Sequence, residues 1–163
     1  MNAQTPWIRT SLFIAALALS ACQGTNTPAT ECASGSRWNG GNSPSPSMNP
    51  GLACIHCHDT MSHAPRLRAA GTVYQTLTEP DLCDGLGGAT VDLIGADGSV
   101  TTLTSNSAGN FYTTKSLVFP IRARVHTANG MREMTDPVTT GDCNSCHTPT
   151  GDGDGAPGRI TPL

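Results

Sequence analysis

Five residues in one arrangement occur twice in this chain, as Cys54-Ile55-His56-Cys57-His58 and as Cys143-Asn144-Ser145-Cys146-His147. Two cysteines three positions apart on one helical turn present both thiols to the same side. Two thiols so placed match the pair of vinyl groups along one edge of a haem, each taking a thioether bond. The histidine that follows then swings beneath the ring so that its neutral imidazole reaches the iron. This spacing is the signature of c-type haem attachment. With 7 cysteines in 163 residues a single copy arises easily by chance, but two copies are a far stronger signal. The expectation is two covalent haem c groups on Cys54, Cys57, Cys143 and Cys146, with His58 and His147 as proximal iron ligands.

Two other readings of paired cysteines compete. Four thiolates make a zinc set, with His58 or His147 to spare. Zinc ribbons, however, set their pairs about 15–20 residues apart, and here about 85 residues intervene. Cys-x-x-Cys disulfides occur in redox enzymes. Neither reading explains why histidine follows directly both times.

Composition supports a chain built around a cofactor. Aromatic residues make up 4 % of the sequence, a poor supply for a core, and haem faces would add the missing apolar bulk. The formal charge of −3, from 9 Lys and Arg against 12 Asp and Glu, leaves no basic stripe for nucleic acid. No paired carboxylates on a recognisable element and no activated serine or cysteine suggest a hydrolase.

The first 21 residues have the features of a secretory signal: Arg9 as the positive flank, then the apolar run Leu12–Leu19. At about 1.5 Å per residue that run is far too short for a bilayer core of about 30 Å. Leu19-Ser20-Ala21-Cys22 resembles the bacterial lipobox, which implies a lipid on Cys22 and, with Gln23 next, an outer-membrane address. An ordinary signal cut near Ala21 is the alternative. Residues 22–50, rich in Ser, Pro, Asn, Gly and Thr around Cys32 and Trp38, read as a lipidated tether. Once Cys22 and the four motif cysteines are assigned, Cys32 and Cys83 remain. In an exported protein they most simply pair.

Histidines are scarce, so the sixth iron positions draw on a short list. His56, His63 and His126 are available, beside Met48, Met61, Met131 and Met134. His56 is pinned beside its own haem edge. His63 follows His58 too closely to cross to the opposite face of the same haem, which suits it to the other haem or to that of a neighbouring molecule. His63 and His126 are the expected distal ligands. Bis-histidine ligation gives a lower potential than Met/His ligation and leaves no open position for a small molecule.

Between the motifs the texture changes to short strand-like runs at 70–74, 89–94, 100–104, 110–114 and 121–127. Ala96–Gly98, Ala108–Asn110 and Ala128–Gly130 mark turns. Their spacing predicts a small antiparallel β-sandwich, with Val91, Leu93, Val100, Leu103, Phe111, Ile121 and Val125 facing inward. The expected class is mainly β, a sandwich flanked by short loop or helical haem-binding segments. In order along the chain these are a signal at 1–21, a tether at 22–50, a first haem segment at 51–68, the sandwich at 69–134, and a second haem segment with a C-terminal loop at 135–163. In that last segment Asp152-x-Asp154 lacks the third acid, glycine and glutamate of a calcium loop, and a loop wrapping the second haem is the better reading. Arg159 either neutralises a haem propionate or lies exposed.

Gly71-Thr72-Val73, Gly88-Ala89-Thr90-Val91-Asp92-Leu93, Asp97-Gly98 and Asn106-Ser107-Ala108-Gly109-Asn110-Phe111-Tyr112 together resemble the carboxypeptidase regulatory-like (transthyretin-like) β-sandwich over about 60 residues. That resemblance implies a Greek-key scaffold without chemistry of its own. The Cys-x-x-Cys-His-Thr-Pro and Ala-Pro-Gly-Arg-Ile stretches resemble the tail of dihaem lipoproteins that carry this sandwich. The function expected is single-electron transfer between redox partner proteins, other cytochromes among them, at the outer membrane or cell surface. Two alternatives remain: a homopolymer in which a histidine serves a neighbour's haem, and a dihaem peroxidase.

Overall fold

In the computed structural model residues 43–151 and 155–163 are described. The signal segment, Cys22, Cys32, Trp38, most of the tether and the Asp152-x-Asp154 pair therefore lie outside the described residues.

The protein is mainly β, built as two antiparallel sheets. In chain order the elements are helix α1 (Cys54–Thr60), strands β1 (Ala69–Thr72), β2 (Thr90–Ile94), β3 (Val100–Thr104), β4 (Asn110–Thr113), β5 (Arg122–Thr127) and β6 (Gly130–Glu133), and a 3₁₀ turn at Cys143–Ser145. One sheet has the order β3-β2-β5-β6 and the other pairs β1 with β4. Each inward position follows from the two-residue period of a strand. In β2, Val91 and Leu93 are buried while Thr90, Asp92 and Ile94 are only partly so. Phe111 from β4 and Ala69 from β1 meet Val91, Leu93, Val125, Ile121, Val73 and Ala89 in one core between the sheets.

The β2–β3 hairpin turns where Ala-Asp-Gly predicts it. Asp97 Oδ1 accepts the Ser99 backbone N–H at 3.0 Å and its hydroxyl at 2.7 Å, and these bonds hold the Asp97 carboxyl below its usual range. Gly98 takes φ +80° there, a left-handed conformation that glycine adopts without a Cβ clash.

One inward assignment is corrected. Val100 is 56 % exposed, whereas Leu103 packs against the core. The two lie three positions apart, and an odd separation on a strand puts side chains on opposite faces. Strand β6 answers the Ala128–Gly130 turn that the sequence marks. Its own residues Gly-Met-Arg-Glu, almost wholly exposed, carry no alternating apolar signal.

The flanking segments are stitched to the sandwich. Asn110 Nδ2 donates to the carbonyls of Met48 (3.0 Å) and Pro46 (3.3 Å), so the end of the expected tether docks on β4. On the other side, single bridges join Asp142 to Ala70 and Ile160 to Val73, both parallel. Strand β1 is thereby buried on both faces. Ala69, Gly71 and Val73 share the core face, and Ala70, Thr72 and Tyr74 the other.

Candidate functional site

Both Cys-x-x-Cys-His segments pack on β1, the first through α1 and the second through the 3₁₀ turn. Small side chains make this possible. A Cβ built on Gly71 would lie 2.7 Å from Phe111 Cζ and 3.0 Å from Cys143 Cβ, so only glycine admits the second motif this close to the core.

A buried polar network joins the motifs. Thr72 N–H donates to Asn144 Oδ1 at 3.0 Å. Asn144 Nδ2 donates to Thr72 Oγ1 (3.1 Å) and to the carbonyl of Leu52 (3.0 Å), just ahead of the first motif. It also approaches Cys54 Sγ at 4.0 Å. Thr72 Oγ1 receives Gly51 N–H (2.8 Å) and donates to Asn110 Oδ1 (2.8 Å). In the opposite direction, the His56 N–H of the first motif donates to Asp142 Oδ2 at 2.9 Å, just ahead of the second. Asp142 is buried, and its Oδ1 has no partner among the described residues.

The two motif histidines are held alike. His58 Nδ1 lies 2.9 Å from the carbonyl of Pro65, and His147 Nδ1 lies 2.8 Å from the carbonyl of Gly158. A carbonyl only accepts, so Nδ1 carries a proton in both rings, and the neutral form of each is the tautomer with its lone pair on Nε2. This is the arrangement by which a backbone carbonyl fixes the tautomer and aim of a metal-ligating histidine.

The sulfurs divide differently. Cys54, Cys143 and Cys146 stand as thiols, so neither motif closes an internal Cys-x-x-Cys disulfide. Burial pushes the Cys54 thiol up to about 12, with the Asp142 carboxylate adding to the shift. It does the same for Cys143, where Cys54 and Asp142 add to it. Such surroundings suit uncharged sulfur, which a thioether is and a zinc-bound thiolate is not. Among the described residues, no group of three or more His, Cys, Asp or Glu is gathered to hold a metal ion. Cys57 departs from the expectation: it is disulfide-bonded, and that sulfur takes a thioether only after reduction. Cys83 is also disulfide-bonded, while its expected partner Cys32 lies outside the described residues.

The expected distal ligands lie on different elements, neither of them within a motif. His63 is exposed, on the same 61–66 segment whose Pro65 carbonyl backs His58. His126 sits on β5 in the other sheet, with Nε2 3.3 Å from Asp92 Oδ2 and Met131 opposite it in register. Met131 is itself 60 % exposed. His56 is exposed as well.

Of the two settings expected for Arg159, the exposed one is excluded: the residue is 2 % exposed. Its guanidinium lies over the Tyr74 ring at 4.5 Å, and its Nε donates to the Glu79 carbonyl at 3.2 Å. Nη2 is buried without a partner among the described residues. The residues that the sequence reading missed are Thr72, Asp142 and Asn144. Asn144 occupies a variable position of the motif, where residue type carries no signal.

No helix among the described residues is long and apolar enough to cross a membrane. Comparison of the chain with family models, curated proteins and solved structures returned no match.

Proposed function

We propose that this chain is a dihaem c-type cytochrome that passes single electrons between protein partners and is no enzyme. The observation that carries the reading is the matched pair of histidines: each motif ends in an imidazole whose Nδ1–H is taken by a backbone carbonyl and whose Nε2 is left for a metal. Two unrelated segments, 58–65 and 147–158, reach the same result, which a disulfide or a structural turn has no need of.

In this reading Cys54, Cys57, Cys143 and Cys146 hold the two haems, and His58 and His147 ligate iron. The cofactor, when bound, supplies the one-electron Fe(III)/Fe(II) couple. The chain's own part is placement: both attachment segments pack on the same strand, β1. Pro65 and Gly158 aim the imidazoles, and hydrogen bonding at Nδ1 raises their basicity as ligands. His63 and His126 are the proposed sixth ligands. The exposure of His63 favours a second form of the same function, in which it serves the haem of a neighbouring copy and the copies link in a chain. The proposed setting is the outer membrane or cell surface, reached through a lipid on Cys22.

Expression in a host competent for cytochrome maturation tests the reading. A pyridine haemochrome assay should give two haems per chain, and intact mass should show both attached covalently together with the lipid. H58A and H147A should each convert about half of the low-spin iron signal. A colourless protein of polypeptide mass alone removes the proposal. Electron microscopy that shows monomers only removes the chain-forming version.

A further inference from the structure

We infer that Asp142 and Asn144 form a reciprocal clasp that fixes the two attachment sites as one electronically coupled pair; this rests on the dihaem reading above. The two contacts are mirror images in sequence. Asn144, inside the second motif, bonds the main chain just before the first at Leu52. Asp142, just before the second motif, bonds the main chain inside the first at His56. These contacts span 92 and 86 residues respectively, so they are tertiary ties between the motifs and not local turns.

The clasp is rigid for physical reasons. Both side chains are buried, Asn144 at 4 % and Asp142 at 6 % exposure. A buried hydrogen bond is costly to break, because the abandoned partner stays desolvated, and the bond to a carboxylate is charge-assisted. Thr72 anchors Asn144 to β1 through two bonds, and Asn110 anchors Thr72 to β4. The junction therefore has the stiffness of the sheet. Cys54, the first sulfur of the first motif, lies at this junction 4.0 Å from Asn144 Nδ2, and Cys143, the first of the second motif, stands in the chain between Asp142 and Asn144. Asp142 and Asn144 are positioning residues. They set how one site stands to the other.

The test uses the full-length holoprotein and the variants N144A, D142A and D142N. Haem content, far-ultraviolet circular dichroism, the Soret circular dichroism couplet and the magnetic interaction between the two ferric centres are recorded for each. The expected result is two haems per chain throughout, with the couplet reduced by half or more in N144A and D142A. D142N should keep it, because the amide oxygen still accepts from His56 N–H; loss of the general fold would not be rescued this way. N144A and D142A with the wild-type couplet and magnetic interaction overturn the proposal, as does D142N failing as far as D142A. If the alanine variants attach no haem, the wild type still decides: two haems without a couplet or magnetic interaction overturn the clasp. A wild type with no haem at all overturns the underlying dihaem reading.

Discussion

His147 Nδ1 donates to the carbonyl of Gly158 across 2.8 Å. That carbonyl is aimed by a backbone in an unusual state. Gly158 has φ +149°, and a Cβ there would press on the Leu77 carbonyl. Gly158→Ala should therefore shift the carbonyl and loosen His147, at a cost of about 1–3 kcal/mol for a strained backbone. On the dihaem reading the expected spectrum keeps the first haem unchanged and gives the second a high-spin fraction by electron paramagnetic resonance. Pro65→Ala is the contrast. The bond to His58 uses the Pro65 main chain, so this variant should leave the first haem's ligation intact.

Asp142 places a buried carboxylate between the two Cys-x-x-Cys-His motifs, which on the dihaem reading stands between the two haems. A carboxylate favours ferric over ferrous iron, because the oxidised centre carries one more positive charge. At a separation of about 10 Å and an effective dielectric near 20, removing the charge is worth roughly 1.5 kcal/mol, or on the order of 70 mV. Asp142→Asn should raise both midpoint potentials by that order while retaining two haems. Redox titration followed at the haem bands measures it, and unchanged potentials would show that the charge lies too far from iron or is neutralised.

Much of this arrangement is legible in the sequence, and the illegible part has a common cause. Alternation in β2 and β5 and the Asp-Gly and Asn-Gly turns reveal the sandwich, because strand period and turn chemistry are local. β6 is hidden, since an exposed edge strand such as Gly-Met-Arg-Glu has no apolar rhythm to read. Val100 misleads because hydrophobicity alone does not assign a face, whereas its odd separation from Leu103 does. The motif residues are equally plain. The groups that bring the motifs together are not: Thr72, Asp142 and Asn144 are ordinary polar residues whose partners lie up to 92 residues away. Their role appears only once β1 is buried on both faces.

Gly71 is the residue on which that double burial turns. Its position leaves 2.7 Å to Phe111 and 3.0 Å to Cys143 for an added Cβ. Gly71→Ala must push either the core or the second motif outward, and overpacking of this kind costs about 1–3 kcal/mol. On the dihaem reading the expected outcome is a lower melting temperature together with reduced occupancy of the second haem, while the first motif, tied to β1 separately by the Gly51 N–H on Thr72 Oγ1, keeps its own. Thermal unfolding and haem-peptide mapping separate the two effects. A melting temperature at the wild-type value would mean that the motif yields freely.

The thiols themselves offer a test in protein made without haem. Cys54 and Cys143 are both pushed up from 9.0 to about 12, first by burial. Only the thiolate reacts with iodoacetamide, so at pH 8 both should resist modification in the folded chain and react once urea unfolds it. The same shifts fix the pH dependence of stability. In the unfolded chain these thiols ionise near 9, while in the folded chain they stay neutral to about 12. The neutral form is thus the one the fold favours. Its contribution is fully present below pH 9 and is lost as pH rises from 9 through 12. Urea midpoints should be level between pH 7 and 9 as far as these groups are concerned, and fall above it. Cys54→Ala and Cys143→Ala should each remove part of that fall. Equal labelling rates in folded and unfolded protein would mean that the thiols are open to water and that the junction between the motifs is loose.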